Sequence, residues 1–246
     1  MIRRIRDLTL IEIEKTLLVI ACDSAGAIGT KPLDKLQLSG QILGKMITAV
    51  PLMEVLASGA KPITVINTLS VEAHPAGVPI IEGVREAVAE AGLDIAMING
   101  STEDNMPTLQ TGIGVTVIGT TNSRDLRLGT SEAGDLIYVV GTPMVGEEVL
   151  KNQQKAAGIK AVLQLLQQEG IHEILPVGSK GISYELHELA KLPQCHVKFL
   201  LNSNSTLDIH KTAGPATCLL VSVKAGYEDA LECLNVPFQK IAQLVQ

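Results

Sequence analysis

The chain has 246 residues, of which 46% are hydrophobic, 2% aromatic and 19% charged, and it contains no Trp. This length allows a large core, which must be built from Leu, Ile, Val, Ala and Met. The formal net charge is −6 and no basic tract is interleaved with aromatic residues, which argues against nucleic acid as a partner.

The cysteines and the N-terminus bear on the cellular compartment. No Cys-x-x-Cys pair occurs, so neither a zinc site nor a disulfide framework is indicated, and a reducing cytoplasm is expected. The basic N-terminus is followed by Glu12, Glu14 and Lys15, which interrupt any apolar signal core. No apolar run is long enough to cross a membrane, so no membrane association is expected.

Hydrophobic periodicity predicts an alternation of strands and helices in the first part of the chain. Pro51 is expected to kink or restart the first helix, and Gly59 to end it. The predicted strands are residues 10–14, 17–22, 63–69, 94–98, 113–119 and 136–140, and the predicted helices are residues 37–58 and 80–91.

A glycine- and proline-containing segment at residues 141–146 predicts a domain junction, with domains 1–141 and 142–246. Strands and helices alternate in both halves without a strict βαβ rhythm, which favours a two-domain α+β protein. In the second half the predicted helices are residues 147–168, with Gly158 as a weak point, 182–192 and 227–234. The predicted strands are 173–177, 196–201 and 216–223, and 238–245 is a strand or a helix.

The segment around Asp23 has the composition of a metal-phosphate site. A β-rich run, residues 17–20, leads into Asp23, and then into Gly26, Gly29 and Lys31. An acid at a strand end can hold Mg²⁺, glycines let backbone N–H groups approach an anion, and a Lys can neutralise a phosphate. The alternative is a plain glycine-rich turn.

Other acidic residues could join Asp23 around one Mg²⁺-bound phosphate group: Glu54, Glu103 and Asp104. Glu54 could instead be a solvated charge on the face of a helix. Glu103 and Asp104 could instead form a helix N-cap or an Asx turn.

Two segments of the second half could also contact a ligand. Residues 176–182 follow a predicted strand and open a predicted helix, so their backbone N–H groups and Lys180 could hold an anion, although the Walker pattern is absent. An ordinary glycine-rich turn is the alternative. The polar loop 202–205 could line a substrate pocket or be a simple connection.

Five segments in this order resemble the aminoimidazole-ribonucleotide synthetase (PurM-like) superfamily of ATP-using enzymes: residues 23–31, 54–62, 99–107, 134–141 and 214–218. The resemblance implies an N-terminal ATP- and Mg²⁺-binding domain whose mixed sheet pairs across a homodimer into a β-barrel, with ATP at that interface. It also implies a C-terminal α/β sandwich domain.

This sequence departs from the family pattern at several points. The glycine-rich Gly-Asp-Asp-Ala segment near the N-terminus is missing, and Asp7 could stand in for it. Met53 and Glu54 replace the usual Asn-Asp, and Asn99, Gly100 and Ser101 replace two glycines and an acid.

Among relatives, the short form with Asp-Ser-Ala-Gly-Ala-Ile-Gly, Gly-Ser-Thr-Glu at residues 100–103 and Pro-Val-Gly-Ser-Lys-Gly looks most like α-ribazole kinase, which phosphorylates a nucleoside in cobalamin salvage. The resemblance implies a Mg²⁺- and ATP-dependent kinase acting on a nucleoside-like small molecule. Alternatives are a thiamine-monophosphate kinase, a synthetase-type cyclase, or a nucleotide-binding maturation partner without turnover.

If the protein is a kinase, as the resemblance implies, each candidate residue has an expected role. Asp23 and Asp104 are the expected catalytic residues, with Asp104 orienting the acceptor hydroxyl. Mg²⁺ is expected on Asp23, Glu54 and Glu103. The nucleotide is expected on Ser24, Gly26, Gly29, Lys31, Gly100, Ser101, Thr102 and Lys180.

Overall fold

The computed structural model describes residues 1–201 and 205–246, which form two compact units, Met1–Asp125 and Leu126–Gln246. Residues 202–204 of the predicted polar loop therefore lie outside the described residues. The division between the units precedes the boundary predicted after Gly141. The reason is that the strand Leu136–Gly141 pairs with strands of the second unit, at Cys218–Val223 and Phe238–Val245.

The first unit is a mixed six-stranded sheet with two helices. The sheet order is β1-β2-β3-β8-β6-β7, with β6 and β7 parallel and the other pairs antiparallel. The elements are β1 (Ile2–Ile5), β2 (Leu8–Ile13), β3 (Thr16–Gly26), β4 (Ile28–Gly29), β5 (Leu36–Gln37), α1 (Gly40–Ala57), β6 (Lys61–Leu69), α2 (Val78–Glu90), β7 (Ile98–Thr102) and β8 (Gly112–Thr121). Within the described chain this sheet keeps two free edges, β1 and β7, and does not close into a barrel.

One face of the sheet is buried against α1, because alternate strand residues point toward the helix. Leu17, Val19 and Ala21 of β3 are buried, whereas Leu18 and Ile20 between them are half-buried. The strand α1 contacts most is β3, followed by β8. The helix-covered face is therefore the core of this unit, and the opposite face has no covering element among the described residues of the unit.

The two helices cross at glycines. A Cβ atom on Gly44 of α1 would lie 2.0 Å from the carbonyl oxygen of Ile80, and one on Gly83 of α2 would lie 2.0 Å from the carbonyl oxygen of Gln41. Only a residue without a side chain allows this approach. The α1–α2 crossing therefore depends on both glycines.

Several predicted elements of the first unit have different bounds in the structure. β3 continues through Asp23 to Gly26 because these residues pair with β8, so the expected glycine-rich loop begins later. α1 runs through Pro51 as one helix. The predicted strand at 94–98 is a 3-10 turn, Ile95–Met97, followed by β7. β1, β4 and β5 were not predicted.

The second unit contains a five-stranded sheet in the order β10-β12-β9-β13-β11, with every pair antiparallel. The helix α5 packs its buried face, Ile182, Leu186 and Leu189, into the core of this unit together with the sheet. The elements are β9 (Leu136–Gly141), α3 (Glu147–Lys151), α4 (Ile159–Leu165), β10 (Ile171–Pro176), α5 (Gly181–Lys191), β11 (His196–Phe199), β12 (Cys218–Val223) and β13 (Phe238–Val245).

The single long helix predicted at 147–168 is wrong. α3 ends at Lys151, and α4 begins only after Gly158, whose extended backbone (φ −154°, ψ −169°) cannot continue a helix. The helix predicted at 227–234 is reduced to a 3-10 turn, Glu228–Leu231, and residues 238–245 form a strand.

Two whole-chain expectations can be compared with these units. All four cysteines are free. Among the described residues, α1 alone is long and apolar enough by composition to cross a membrane, and 67% of it is buried inside the fold.

Replacing Gly44 tests the helix crossing. Gly44→Ala places a methyl group against the Ile80 carbonyl, so we expect a loss of about 1–3 kcal/mol in the free energy of unfolding, typical of overpacking. Urea denaturation measures it. Gly26→Ala is the matched control because a Cβ there meets nothing within 4 Å; equal losses in the two variants would contradict the crossing geometry.

Candidate functional site

Four strand ends meet at one end of the first unit's sheet. Gly26, the last residue of β3, lies opposite Gly112, the first residue of β8. Leu69, the last residue of β6, lies opposite Ile113 of β8 and Thr102, the last residue of β7. The segments that follow β3, β6 and β7 therefore emerge together, which is where functional groups gather at the carboxyl ends of parallel strands.

Asp23 lies on the helix-covered face, three residues before this end. Its row across the sheet continues through Val115 and Asn67 to Gly100. Burial raises the pKa of the half-buried Asp23 carboxyl, a hydrogen bond from the Ser24 N–H (2.8 Å) opposes this rise, and the nearby Asp7 adds to it. Asp23 is therefore a carboxylate whose surroundings disfavour its negative charge.

Lys31 is bound to an acid that was not among the predicted site residues. Its Nζ atom lies 2.5 Å from Oε1 and 2.6 Å from Oε2 of Glu72, the residue before the π-helical turn Ala73–Gly77. The hydrogen bond from Lys31 lowers the pKa of Glu72. The ammonium group is thus present at the expected place, but an incoming phosphate would have to share it with Glu72.

Asp34 holds the loop that carries Lys31. Its Oδ1 accepts the Thr111 N–H (2.8 Å), and its Oδ2 accepts the Thr111 hydroxyl (2.7 Å) and the Lys31 N–H (2.8 Å). Burial would raise the pKa of Asp34, but these hydrogen bonds and the Lys31 charge together lower it. Gly29 completes the arrangement, because a Cβ there would lie 2.3 Å from the Thr111 hydroxyl oxygen.

Glu103 and Asp104 both accept hydrogen bonds in the segment after β7. Oε1 of Glu103 accepts the N–H groups of Asn105 (2.8 Å) and Met106 (3.3 Å). Asp104 accepts the Thr102 hydroxyl (2.5 Å) and the Ala73 N–H (2.8 Å), which lower its pKa in that order. Glu103 therefore accepts hydrogen bonds within a turn, as the alternative interpretation predicts. Asp104 instead links the end of β7 to the turn Ala73–Gly77.

The segment Gly100, Ser101 and Thr102 lies on the edge strand β7 rather than in a loop. A Cβ on Gly100 would lie 2.4 Å from the carbonyl oxygen of Asn67 and 2.5 Å from its Oδ1, so this glycine is required by the packing of Asn67. The Asn67 amide donates to the Asn99 carbonyl at 3.1 Å. All three residues border a cavity of about 360 Å³.

The remaining predicted residues are separated. Glu54 is half-buried in α1, and Ser24 and Gly26 lie in the β3–β8 ladder. Lys180 belongs to the second unit, with its Nζ 3.1 Å from the Tyr184 hydroxyl. Across residues 1–201 and 205–246, no three His, Cys, Asp or Glu side chains are grouped to hold a metal ion, so Asp23, Glu54 and Glu103 do not form a ready cluster.

Asp34 provides a test of the loop anchor. The pKa of the Asp34 carboxyl is lower in the folded protein than its ordinary value of 3.8. The carboxylate therefore contributes fully to the free energy of unfolding above pH 3.8, and this contribution is lost as the pH falls through the lower pKa of the folded protein. Asp34→Asn should cost about 1–3 kcal/mol in the free energy of unfolding at pH 7, because the buried N–H and hydroxyl of Thr111 and the partly buried N–H of Lys31 lose a charged acceptor.

Urea denaturation of wild-type and Asp34→Asn at pH 7 and pH 3 measures this difference, which should shrink at the lower pH. Glu12→Gln, at an exposed carboxylate of β2, is the control and should change little. A wild-type-to-Asn difference that stays constant between the two pH values would argue against a stabilising Asp34 carboxylate.

The chain is similar to several solved structures and, over its first unit, to one protein family. A search of curated proteins finds no match. Thiamine-monophosphate kinase from Stenotrophomonas maltophilia K279a has a similar structure, with 18% identity and a TM-score of 0.66 over 98% of this chain and 86% of that one. HypE of E. coli, a hydrogenase maturation protein, has 17% identity and a TM-score of 0.66 over 93% and 80%.

PurL from T. maritima, solved with ADP, has 13% identity and a TM-score of 0.65 over all of this chain and 41% of that one. Similarity at these identities establishes a shared fold, which confirms the predicted PurM-like fold with a mixed sheet. Residues 6–121, nearly all of the first unit, match the family described as AIR synthase related protein, N-terminal domain.

Proposed function

We propose that this protein is an ATP- and Mg²⁺-dependent kinase that phosphorylates a small molecule, α-ribazole. The observation that carries the proposal is that β3, which contains Asp23, and β7, which Asp104 follows, end at the same end of the first unit's sheet, where the loop with Lys31 also begins. Support comes from AaThiL, solved with AMPPCP and TMP, which has a similar structure at 16% identity with a TM-score of 0.64 over 98% of this chain and 84% of that one.

Phosphoryl transfer needs positioning and charge neutralisation more than covalent help from the protein. Mg²⁺ is held by one or two carboxylates together with phosphate oxygens and water, so Asp23 is a sufficient protein anchor even without a cluster. Glu54 and Glu103, which are not grouped with Asp23, are not needed as ligands in this proposal, and Mg²⁺ would neutralise the phosphate charge when bound.

The nucleotide would be held by groups around the same end of the sheet. Lys31 would exchange part of its contact with Glu72 for a phosphate, and Asp34 keeps its loop in place for that exchange. The backbone at Gly26 and Gly29 would approach the phosphates. Further proposed contacts are Ser24, Gly100, Ser101 and Thr102, and Lys180 of the second unit stays a separate prediction from the sequence.

Asp104 would orient the acceptor hydroxyl. Its two hydrogen bonds fix the carboxylate in one position and keep it ionised, since they lower its pKa. A fixed ionised carboxylate is a strong acceptor for a hydroxyl proton.

The acceptor assignment rests on the short sequence form. The resemblance of the segments Asp23 to Gly29, Gly100 to Glu103 and Pro176 to Gly181 to α-ribazole kinase is the reason for proposing α-ribazole over thiamine monophosphate. The structural similarity supports an ATP-using enzyme of the PurM-like fold, and the nucleoside acceptor is the finer part of the proposal.

The uncovered face of the sheet supports a homodimer as part of the proposal. On this face Ile20 of β3 lies directly opposite Ile118 of β8, and both are half-buried. Apolar cross-strand pairs on an uncovered sheet face are a common basis for association between subunits.

The first test is ADP release by the purified protein with Mg-ATP and either α-ribazole or thiamine monophosphate. We expect ADP release with α-ribazole but not with thiamine monophosphate. Asp23→Asn should lower the rate at least about a hundred-fold, because it removes the carboxylate that would hold the metal ion at the phosphates. Asp229→Asn, at an exposed carboxylate of the second unit, is the control. Nucleotide binding without ADP release for either acceptor would contradict the kinase and favour a binding protein without turnover.

The dimer is tested by light scattering after size-exclusion chromatography. We expect wild-type protein at twice the 26.1 kDa chain mass and Ile118→Lys at the chain mass, because a charge in an apolar interface is costly to bury. Ile95→Lys, at an isoleucine 53% exposed in the 3-10 turn, should remain dimeric. A monomeric wild-type protein would refute this interface.

A further inference from the structure

The cavity beside β7 combines apolar walls with a few polar groups. It has a volume of about 360 Å³ and lies between β7, α2 and the 3-10 turn Ile95–Met97. Its apolar wall consists of Ile81, Ile95 and Ile98, and its polar groups include Asn67, Ser101 and Thr102. Such a volume and such a mixture are typical of small-molecule sites.

The apolar wall is only partly covered in the folded chain. Ile95 is 53% exposed, and Ile81 and Ile98 are half-buried. Because removing apolar surface from water is favourable, a flat apolar ring placed against these side chains would be stabilised. The three isoleucines therefore point to a ring-bearing ligand.

The charge balance at the rim favours a neutral ligand. Arg85 is the single charged residue among the ten that line the cavity. Its Nη1 lies 2.5 Å from Oε1 of Glu82, one turn earlier on α2, so its charge is already compensated locally. An anionic ligand would have to compete with Glu82, whereas a neutral ring would not.

The cavity also adjoins the proposed catalytic groups. Ala73 and Thr102 line it, and these two residues donate the hydrogen bonds that fix Asp104. A hydroxyl group on a ligand in the cavity would therefore lie near the Asp104 side of the sheet end. Neither the motifs nor the family match assigns a role to Ile81, Ile95 or Ile98.

We propose that this cavity is the acceptor pocket of the kinase, and that it selects a neutral, ring-bearing alcohol over a phosphorylated one. This inference rests on the proposed function. In the reaction, the alcohol oxygen forms a bond to the γ-phosphorus of ATP, the bond from that phosphorus to the β–γ bridging oxygen breaks, ADP leaves, and the hydroxyl proton is released to water.

The pocket is tested without turnover, by methyl NMR of the full chain labelled at the isoleucine δ-methyl groups. Titration with benzimidazole, a neutral ring, and with α-ribazole should shift the Ile81, Ile95 and Ile98 signals and leave Ile63 unchanged. Ile63 is the internal control because it is 47% exposed on β6 and does not line the cavity. The absence of saturable shifts at the three lining residues overturns the pocket.

Variants then separate a neutral-ring site from an anion site. Ile95→Glu should weaken α-ribazole binding by about ten-fold or more, because it places a charge against the ring. The matched Ile63→Glu variant should bind as wild-type. Arg85→Gln should weaken α-ribazole binding by less than about three-fold, since the guanidinium is paired with Glu82. Ten-fold loss in Arg85→Gln with normal binding by Ile95→Glu overturns the neutral-ring assignment.

Activity and AMPPCP binding distinguish the two proposals. If α-ribazole shifts the three isoleucines and AMPPCP binds but no ADP forms, the kinase proposal fails and with it the acceptor role of the pocket. If ADP forms with α-ribazole and Ile95→Glu leaves KM unchanged, the kinase proposal stands and the pocket assignment fails. A raised KM in Ile95→Glu with kcat preserved supports both.

Discussion

The position of β8 between β3 and β6 is the constraint on which the first unit depends. β8 pairs antiparallel with β3 from Leu17 to Gly26 and with β6 from Lys61 to Leu69. Because the side-chain period of a strand is two, a slip of one residue in either pairing would move every buried side chain to the opposite face. Burial of Val115 and Val117 on the helix-covered face therefore fixes the register.

This register also fixes the site. It places Asp23, Val115, Asn67 and Gly100 in one row, and it brings the ends of β3, β6 and β7 together. The loops after those strands then lie close enough for Lys31 to reach Glu72 and for Ala73 to reach Asp104. The chemistry of the first unit is thus a consequence of strand pairing among residues far apart in sequence.

Local sequence patterns predicted the elements whose stability is local. α2, β6 and β8 appear close to their predicted bounds because their apolar residues repeat at helix or strand spacing. The extension of β3 through Asp23 to Gly26 was missed because its signal is the partner strand, not its own composition. The sequence indicated Gly158 only as a weak point in one long helix. In the structure the helix is fully interrupted between α3 and α4, where the backbone of Gly158 is extended.

The site was predictable in part for the same reason. The motif residues Asp23 and Lys31 could be selected from their own neighbours in the chain. Asp34 could not, because Pro32, Leu33 and Lys35 around it have the composition of an ordinary turn, and its burial depends on Thr111, which is 77 residues away. Glu72 is a similar case, since its partner Lys31 is 41 residues away.

The acidic side chains at this end of the sheet differ in how their charge is compensated. Lys31 lowers the pKa of Glu72, hydrogen bonds together with Lys31 lower that of Asp34, and hydrogen bonds from Thr102 and Ala73 lower that of Asp104, whereas burial raises the pKa of Asp23. A group whose charge is already stabilised gains less from an added cation than one whose charge is disfavoured. The proposal therefore places the metal ion at Asp23, whose negative charge is less compensated within the fold, and not on Asp104.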